Sequence, residues 1–258
     1  MEKLFIKNRH NKNIAVILEK SDKQVGLAFV IHGLGGFKEQ EHIQTMADSF
    51  KNADYTVVRF DTTCTIGESE GNYANATVTN YHEDLQDVVA WASSQEWYQE
   101  PFVLAGHSLG GISIILYTLT NLDKVKALAP ISTVLAGRIN MTRYKPEDIK
   151  EWDKTGWQIR PSASKPDVMK KLNWHNFKPY FLKYDVLPDA NKITQPVLLI
   201  TGSEDKGTPY EDQELFYNKV SGDKELHLIK GSKHTFREVQ HLQELKEFFD
   251  NWIKNKLK

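Results

Sequence analysis

Short apolar runs alternate with helical patterns over most of the chain, and this rhythm restricts the fold more than any other feature. Residues 55–60 (YTVVRF), 101–106 (PFVLAG), 125–131 (VKALAPI), 196–201 (PVLLIT) and 225–230 (ELHLIK) are five such runs. Their nearly continuous apolar character suits strands buried on both faces of a sheet. Residues 39–51, 81–97, 108–121, 210–220 and 238–257 read as helices. In the last of them Leu242, Leu245, Phe248, Phe249 and Ile253 recur at the spacing of one helix face. Strand and helix in alternation imply parallel strands joined by crossover helices. Three further runs, at 3–7, 14–19 and 25–32, precede the alternating part and read as consecutive strands. The expectation is an α/β protein with a mostly parallel eight-stranded sheet flanked by helices.

One interval breaks the rhythm, because about sixty residues separate two strands that a short crossover should join. Residues 133–195 are therefore expected to form a helical cap, or lid, inserted into a core made of residues 1–132 and 196–258. The insertion carries Trp152, Trp157, Trp174, Phe177, Tyr180, Phe181 and Tyr184, too much aromatic surface for a solvated loop. Trp152, Trp157 and Trp174 are candidate substrate-binding residues.

With 33 basic and 34 acidic residues in 258, the net charge of -1 leaves no electrostatic footprint for nucleic acid or an anionic membrane. The expected partner is a small molecule. The first residues lack the apolar core of a signal peptide and no run is long enough to span a bilayer, so the expected location is cytoplasmic. Cys64 is the single cysteine, which excludes an internal disulfide and any multi-cysteine metal site.

Chemistry enters at Gly106-His107-Ser108-Leu109-Gly110, a G-x-S-x-G match with an apolar strand running into it and a helical pattern running out. Such a turn would hold Ser108 above the sheet with its hydroxyl exposed, over a helix N-terminus that favours negative charge. At the end of the third strand, His32-Gly33-Leu34-Gly35-Gly36 leaves backbone N–H groups free of side chains. The Leu34 and Leu109 N–H groups are the candidate oxyanion donors. Neither the dinucleotide fingerprint nor the P-loop matches this loop. His32 is read as a residue that orients backbone. After the strand PVLLIT, Glu204 and Asp205 compete for the role of acid, and Asp205 is favoured. Of nine histidines, His234 alone follows both the serine and a candidate acid at a strand end. The order Ser108, Asp205, His234 is that of an α/β-hydrolase triad.

These pieces, with Arg59-Phe60-Asp61, Gly67-Glu68-Ser69-Glu70-Gly71 and Gly231-Ser232-Lys233-His234-Thr235-Phe236, resemble the α/β-hydrolase superfamily. Within it, they are similar to the small bacterial serine esterases that include cinnamoyl (feruloyl) esterase-like proteins. The resemblance runs from Gly33 to Phe236. It implies the α/β-hydrolase fold and hydrolysis of carboxylic esters of small, aromatic or medium-length acyl groups through an acyl-enzyme, with no metal or organic cofactor. Between Asp61 and Ser69 the chain departs from the glycine-bearing stretch common in relatives. Thioester, amide or carbon–carbon cleavage and acyl transfer are alternatives on the same triad. A non-catalytic binding protein on the same fold is an alternative of another class.

Overall fold

The computed structural model describes residues 1–162, 165 and 167–257. Eight strands form one sheet: β1 (Glu2–Lys7), β2 (Asn13–Glu19), β3 (Gly26–Ile31), β4 (Tyr55–Phe60), β5 (Phe102–His107), β6 (Val125–Ile131), β9 (Val197–Gly202) and β10 (Lys224–Ile229). Their spatial order is β1-β2-β4-β3-β5-β6-β9-β10. β1 and β2 are antiparallel to each other, β2 is antiparallel to β4, and all other pairs are parallel. This is the α/β-hydrolase arrangement.

The apolar runs behave as parallel-sheet physics requires: β3, β4, β5 and β9 are buried at every position. One face is covered by α1 (Glu41–Asn52) and α8 (Val239–Lys256), through Ile43, Met46 and Phe50 from the first and Leu245, Phe249 and Trp252 from the second. The other face is covered by α2 (Val78–Ala92), α3 (Leu109–Thr120) and α7 (Tyr210–Tyr217). The helix expected at 81–97 begins earlier because the Thr77 hydroxyl caps it, accepting from Asn80 N–H.

The chain order turns back on itself around β3, whose neighbours are β4 on one side and β5 on the other. Such a switch opens a crevice at the carboxyl ends of the strands. The loops after β3, β5, β6, β9 and β10 all emerge at that edge.

Between β6 and β9 the chain forms α4 (Gly137–Met141), α5 (Pro146–Thr155), β7 (Trp157–Pro161), β8 (Met169–Asn173) and α6 (Trp174–Lys183). The expectation of a purely helical insertion is corrected here, because β7 and β8 pair as an antiparallel ribbon apart from the main sheet.

Candidate active site

Ser108 sits between β5 and α3 at φ 57°, ψ −113°, a conformation costly for a residue with a side chain and tolerated where its surroundings enforce it. The enforcement comes from close packing. A methyl group on Gly110 would fall 2.6 Å from the carbonyl oxygens of both Ile31 and His32, so only glycine lets α3 approach the end of β3. The backbone of Ser108 is held by its N–H to Ile131 O at 3.0 Å and by Val134 N–H to its carbonyl at 3.3 Å.

His234, in the loop after β10, lies with Nε2 3.0 Å from Ser108 Oγ and Nδ1 2.7 Å from Asp205 Oδ2. The loop after β9 presents Asp205 buried and leaves Glu204 exposed. Asp205 Oδ1 accepts from Gly207 N–H at 2.9 Å and Thr208 N–H at 3.0 Å, while the Thr208 hydroxyl lies 2.7 Å from Oδ2. Burial alone would raise the Asp205 pKa, but the facing His234 and the Thr208 bonds outweigh it and hold the carboxyl well below its usual range. With both Asp205 oxygens accepting, His234 carries its proton on Nδ1 and offers the Nε2 lone pair to the serine hydroxyl.

Leu34 follows β3 in a loop held from below. His32 Nδ1–H donates to Gly33 O at 2.8 Å, and its Nε2 accepts from Thr62 N–H at 3.1 Å. Tyr81 Oη–H donates to the same Gly33 carbonyl at 2.9 Å. His32 is thus a backbone-orienting residue, neutral because burial lowers its pKa. Leu109 is the first residue of α3, where N–H groups have no intrahelical acceptor. Leu34, Ser108 and His234 border two adjoining cavities, of about 510 Å³ and 440 Å³, and Leu109 lines the second.

The charge around these cavities is lopsided. The cavity under the insertion is lined by Arg143, Lys145, Arg160, Lys170 and Lys206, against a single carboxylate, Asp148, among the described residues. Arg143 is committed to Asp212.

The three tryptophans are elsewhere, and their candidacy as substrate-binding residues is corrected: neither cavity at Ser108 includes Trp152, Trp157 or Trp174. Trp152 and Trp174 are buried and pack edge to face at 4.9 Å, with Tyr144 against both and Phe177 stacked on Trp174. Trp157 lies on the outer face of the ribbon beneath the Lys171 ammonium, 4.2 Å from its ring. A small insertion without a large core of its own needs this apolar mass for itself.

His107 was not singled out by sequence, although it is the residue beside Ser108 in the motif. Its Nε2–H donates to the His234 carbonyl at 2.7 Å, and its ring sits 4.6 Å from the His234 ring and 4.5 Å from that of His42. Burial, reinforced by neighbouring histidines, holds His107 well below the usual histidine range and His42 down to about 3. Both are neutral spacers under the His234 loop. Thr208 had no signal in the sequence beyond its place near the acid.

A cation could be sought at Glu39, Asp61 and Glu68, whose carboxylates converge. The Lys38 ammonium already fills that position, 2.9 Å from Asp61 and 3.1 Å from Glu39, and also bonded to Glu68. This internal ion pair ties the loop after β4 to the loop after β3. Among the described residues no helix is long and apolar enough to cross a membrane.

Residues 22–175 and 157–238 match the family model described as serine aminopeptidase, S33. The chain belongs to this α/β-hydrolase family. It is 25% identical over 208 residues to the mitochondrial palmitoyl-protein thioesterase ABHD10 of Bos taurus, covering 79% of this chain and 65% of that protein. It is 26% identical over 193 residues to the Mus musculus counterpart, with 73% and 62% covered. The chain therefore spans a little under two thirds of the length of these relatives. Among solved structures, Est1E from Butyrivibrio proteoclasticus with ferulic acid bound superposes with a TM-score of 0.82 at 22% identity, covering 98% of this chain and 99% of that one. Mouse alpha/beta hydrolase domain-containing protein 10 does so with a TM-score of 0.82 at 22% identity over the whole of both chains.

Proposed function

We propose that this hydrolase cleaves carboxylic esters through an acyl-enzyme formed on Ser108. The observation that carries the reading is the Ser108–His234–Asp205 chain, with contacts of 3.0 Å and 2.7 Å, beside a cavity that Leu34 and Leu109 border. His234 Nε2 takes the hydroxyl proton as Oγ attacks the acyl carbon, and Asp205 stabilises the imidazolium. The oxyanion accepts from the Leu34 and Leu109 N–H groups, an interaction whose loss typically costs about 10²–10³ in rate. His234 then returns the proton to the leaving alcohol, and a water activated in the same way releases the acid.

Thioester cleavage is the second reading, favoured by the likeness to the bovine and mouse palmitoyl-protein thioesterases. Removal of an N-terminal amino acid is disfavoured by the charges: a substrate ammonium would enter a cavity with several cations and one carboxylate. The substrate is a small molecule or acyl group, on this reading, and the chemistry uses no cofactor.

A fluorophosphonate probe and a panel of p-nitrophenyl ester, acyl thioester and aminoacyl-arylamide substrates test the proposal. Labelling of wild type but not of Ser108→Ala, with ester turnover lost in the variant, is the expected result. Unlabelled wild type, or turnover retained by Ser108→Ala, would overturn it. A thioester rate far above the ester rate would favour the second reading.

A further inference from the structure

Acyl transfer at Ser108 makes no use of the β7–β8 ribbon, yet that ribbon opposes two cations on its cavity side. In its register Gln158 faces Leu172 and Arg160 faces Lys170, and directly opposed residues share a face. Gln158, Arg160 and Lys170 line the cavity at Ser108, whereas Ile159 and Met169, on the opposite face, are 53% and 59% exposed. Arg160, 45% exposed, and Lys170 thus share the cavity-side face with the buried Leu172, while Lys171 stands on the opposite face with Ile159 and Met169. Like charges directly opposed across a ribbon destabilise it, so Arg160 and Lys170 stand at a cost that packing does not explain.

Lys170 is half-buried and borders both cavities. Its stem lies over the oxyanion loop: a methyl group on Gly35 would fall 2.8 Å from Lys170 Cδ and 3.3 Å from Nζ. Among the described residues no carboxylate pairs with the ammonium, which sits 5.9 Å from the Tyr73 ring centre. Burial, Arg160 and Arg237 all disfavour its charged form. Arg160 stacks over Trp152 at 4.7 Å and Tyr144 at 5.2 Å, and its contact with Asp148 is long, at 3.9 Å. Since the whole chain has a net charge of -1, the positive field is local to the site and would attract an anion.

We propose that Lys170, with Arg160 opposite it, binds an anionic group carried by the substrate, a carboxylate or phosphate, and so selects acyl compounds that bear negative charge near the scissile carbonyl. This rests on the Ser108 hydrolase reading and adds the substrate class. Lys170 is a specificity residue: the ammonium gains a charge-assisted partner that no carboxylate among the described residues supplies.

Two pairs of esters test it and distinguish the side on which the anion sits. Mono-p-nitrophenyl glutarate against p-nitrophenyl hexanoate places the charge on the acyl side. Para-carboxyphenyl butyrate against para-carbamoylphenyl butyrate places it on the leaving group. In wild type, kcat/KM for the anionic member of at least one pair should exceed that of its neutral partner by about tenfold or more, as expected for a hydrogen bond to a charged group. Lys170→Met should shrink that ratio about 10- to 100-fold, chiefly through KM, and Lys170→Arg should retain most of it. Ratios near one for both pairs in wild type, or a ratio unchanged in Lys170→Met, would overturn the proposal. If no ester is turned over at all, the hydrolase reading fails first, and the anion site is read separately by calorimetry. Ser108→Ala should then bind para-carboxyphenyl butyrate more tightly than the carbamoyl analogue, and adding Lys170→Met should abolish the difference. Equal binding of the two would overturn the site.

Discussion

Asp205→Asn separates the two carboxylates that sequence leaves in competition, and the structure sets how large its effect should be. The two oxygens of Asp205 have different duties: Oδ1 accepts two backbone N–H groups, and Oδ2 accepts His234 Nδ1–H. An asparagine has one acceptor and one donor end, so it has two placements. With its carbonyl toward Gly207 and Thr208, its NH₂ faces His234 and forces the imidazole proton onto Nε2, where it cannot accept from Ser108. The opposite placement keeps the right tautomer but sets the NH₂ against two N–H donors. Two unmade bonds at about 1–3 kcal/mol each make that placement unfavourable by about 2–6 kcal/mol. The productive fraction is then about one in thirty at most and about one in a thousand at mid-range, by the tenfold-per-1.4 kcal/mol rule. The expected loss in kcat is about 10³–10⁴, in line with the triad template. Glu204 is exposed, and Glu204→Gln should cost less than about tenfold, since a surface charge contributes little. Measuring kcat for p-nitrophenyl butyrate, with circular dichroism to verify folding, decides the matter. A folded Asp205→Asn enzyme within tenfold of wild type, or a larger loss in Glu204→Gln, would refute the reasoning.

Further outcomes follow from the same geometry. Gly110→Ala should lower both melting temperature and kcat/KM, because its methyl group meets two backbone oxygens at 2.6 Å and the loop carrying Leu34 must shift; a variant with unaltered kinetics would refute this. Trp174→Ala should destabilise the insertion by roughly 3–5 kcal/mol, read by thermal unfolding; normal stability with altered selectivity would contradict the packing seen here. Stability should fall on acidification: the folded-state pKa values of His107 and His42 are depressed, so the unfolded chain binds more protons once the pH drops below about 6.5. At pH 5 His42, held down to about 3, contributes a loss of about 2 kcal/mol and His107 adds to it in the same direction, and denaturant titrations showing pH-independent stability from 7 to 5 (roughly one and a half units below the reference value) would count against buried neutral histidines. Turnover in excess EDTA should equal that of untreated protein, because Lys38 already occupies the one convergent carboxylate set among the described residues; activity lost to chelator and restored by a divalent ion would refute it.

What could be read in the sequence, and what could not, follows from where the physics is local. β4, β5 and β6 are apolar because both of their faces are buried, so their runs stand out within a residue or two of the observed bounds. The motif residues Ser108, Asp205 and His234 each lie at a strand end, and the main sheet brings them together whatever the insertion does. Their separation in the chain is large, but each is flagged by its neighbours. His107 carries no such flag, because its role depends on a carbonyl 127 positions away. Trp152 and Trp174 were legible as aromatic but not as to what they cover: a buried ring fits a pocket wall or a small core equally well until the fold is known. β7 and β8 were illegible for a sharper reason. MKKLN sets Lys170 and Lys171 side by side and so lacks the period-2 alternation of a half-buried strand, and WQIRP, which alternates, is only five residues long and ends in proline.

The opposed cations of the ribbon also explain why the insertion spends its aromatic residues on itself. A ribbon of two five-residue strands is marginal alone, and opposing Arg160 to Lys170 weakens it further. Its stability must come from what it rests on. Trp174 opens α6 directly after β8; its N–H donates to Gly156 O at 2.8 Å and its Nε1–H to Asp153 Oδ1 at 2.8 Å, which ties α5 and both strands at one point. Lys178 secures the same carboxylate at 2.7 Å. Trp152, packed on Trp174, then offers the outer surface over which the Arg160 guanidinium lies, a stack that orients a cation without neutralising it. Trp152 and Trp174, expected to touch substrate, thus act one step behind it, holding the ribbon whose Arg160 and Lys170 face the cavity. On this view loss of Trp174 and loss of Lys170 differ in kind: the first releases the whole ribbon and should lower stability and anion preference together, while the second should lower the preference alone.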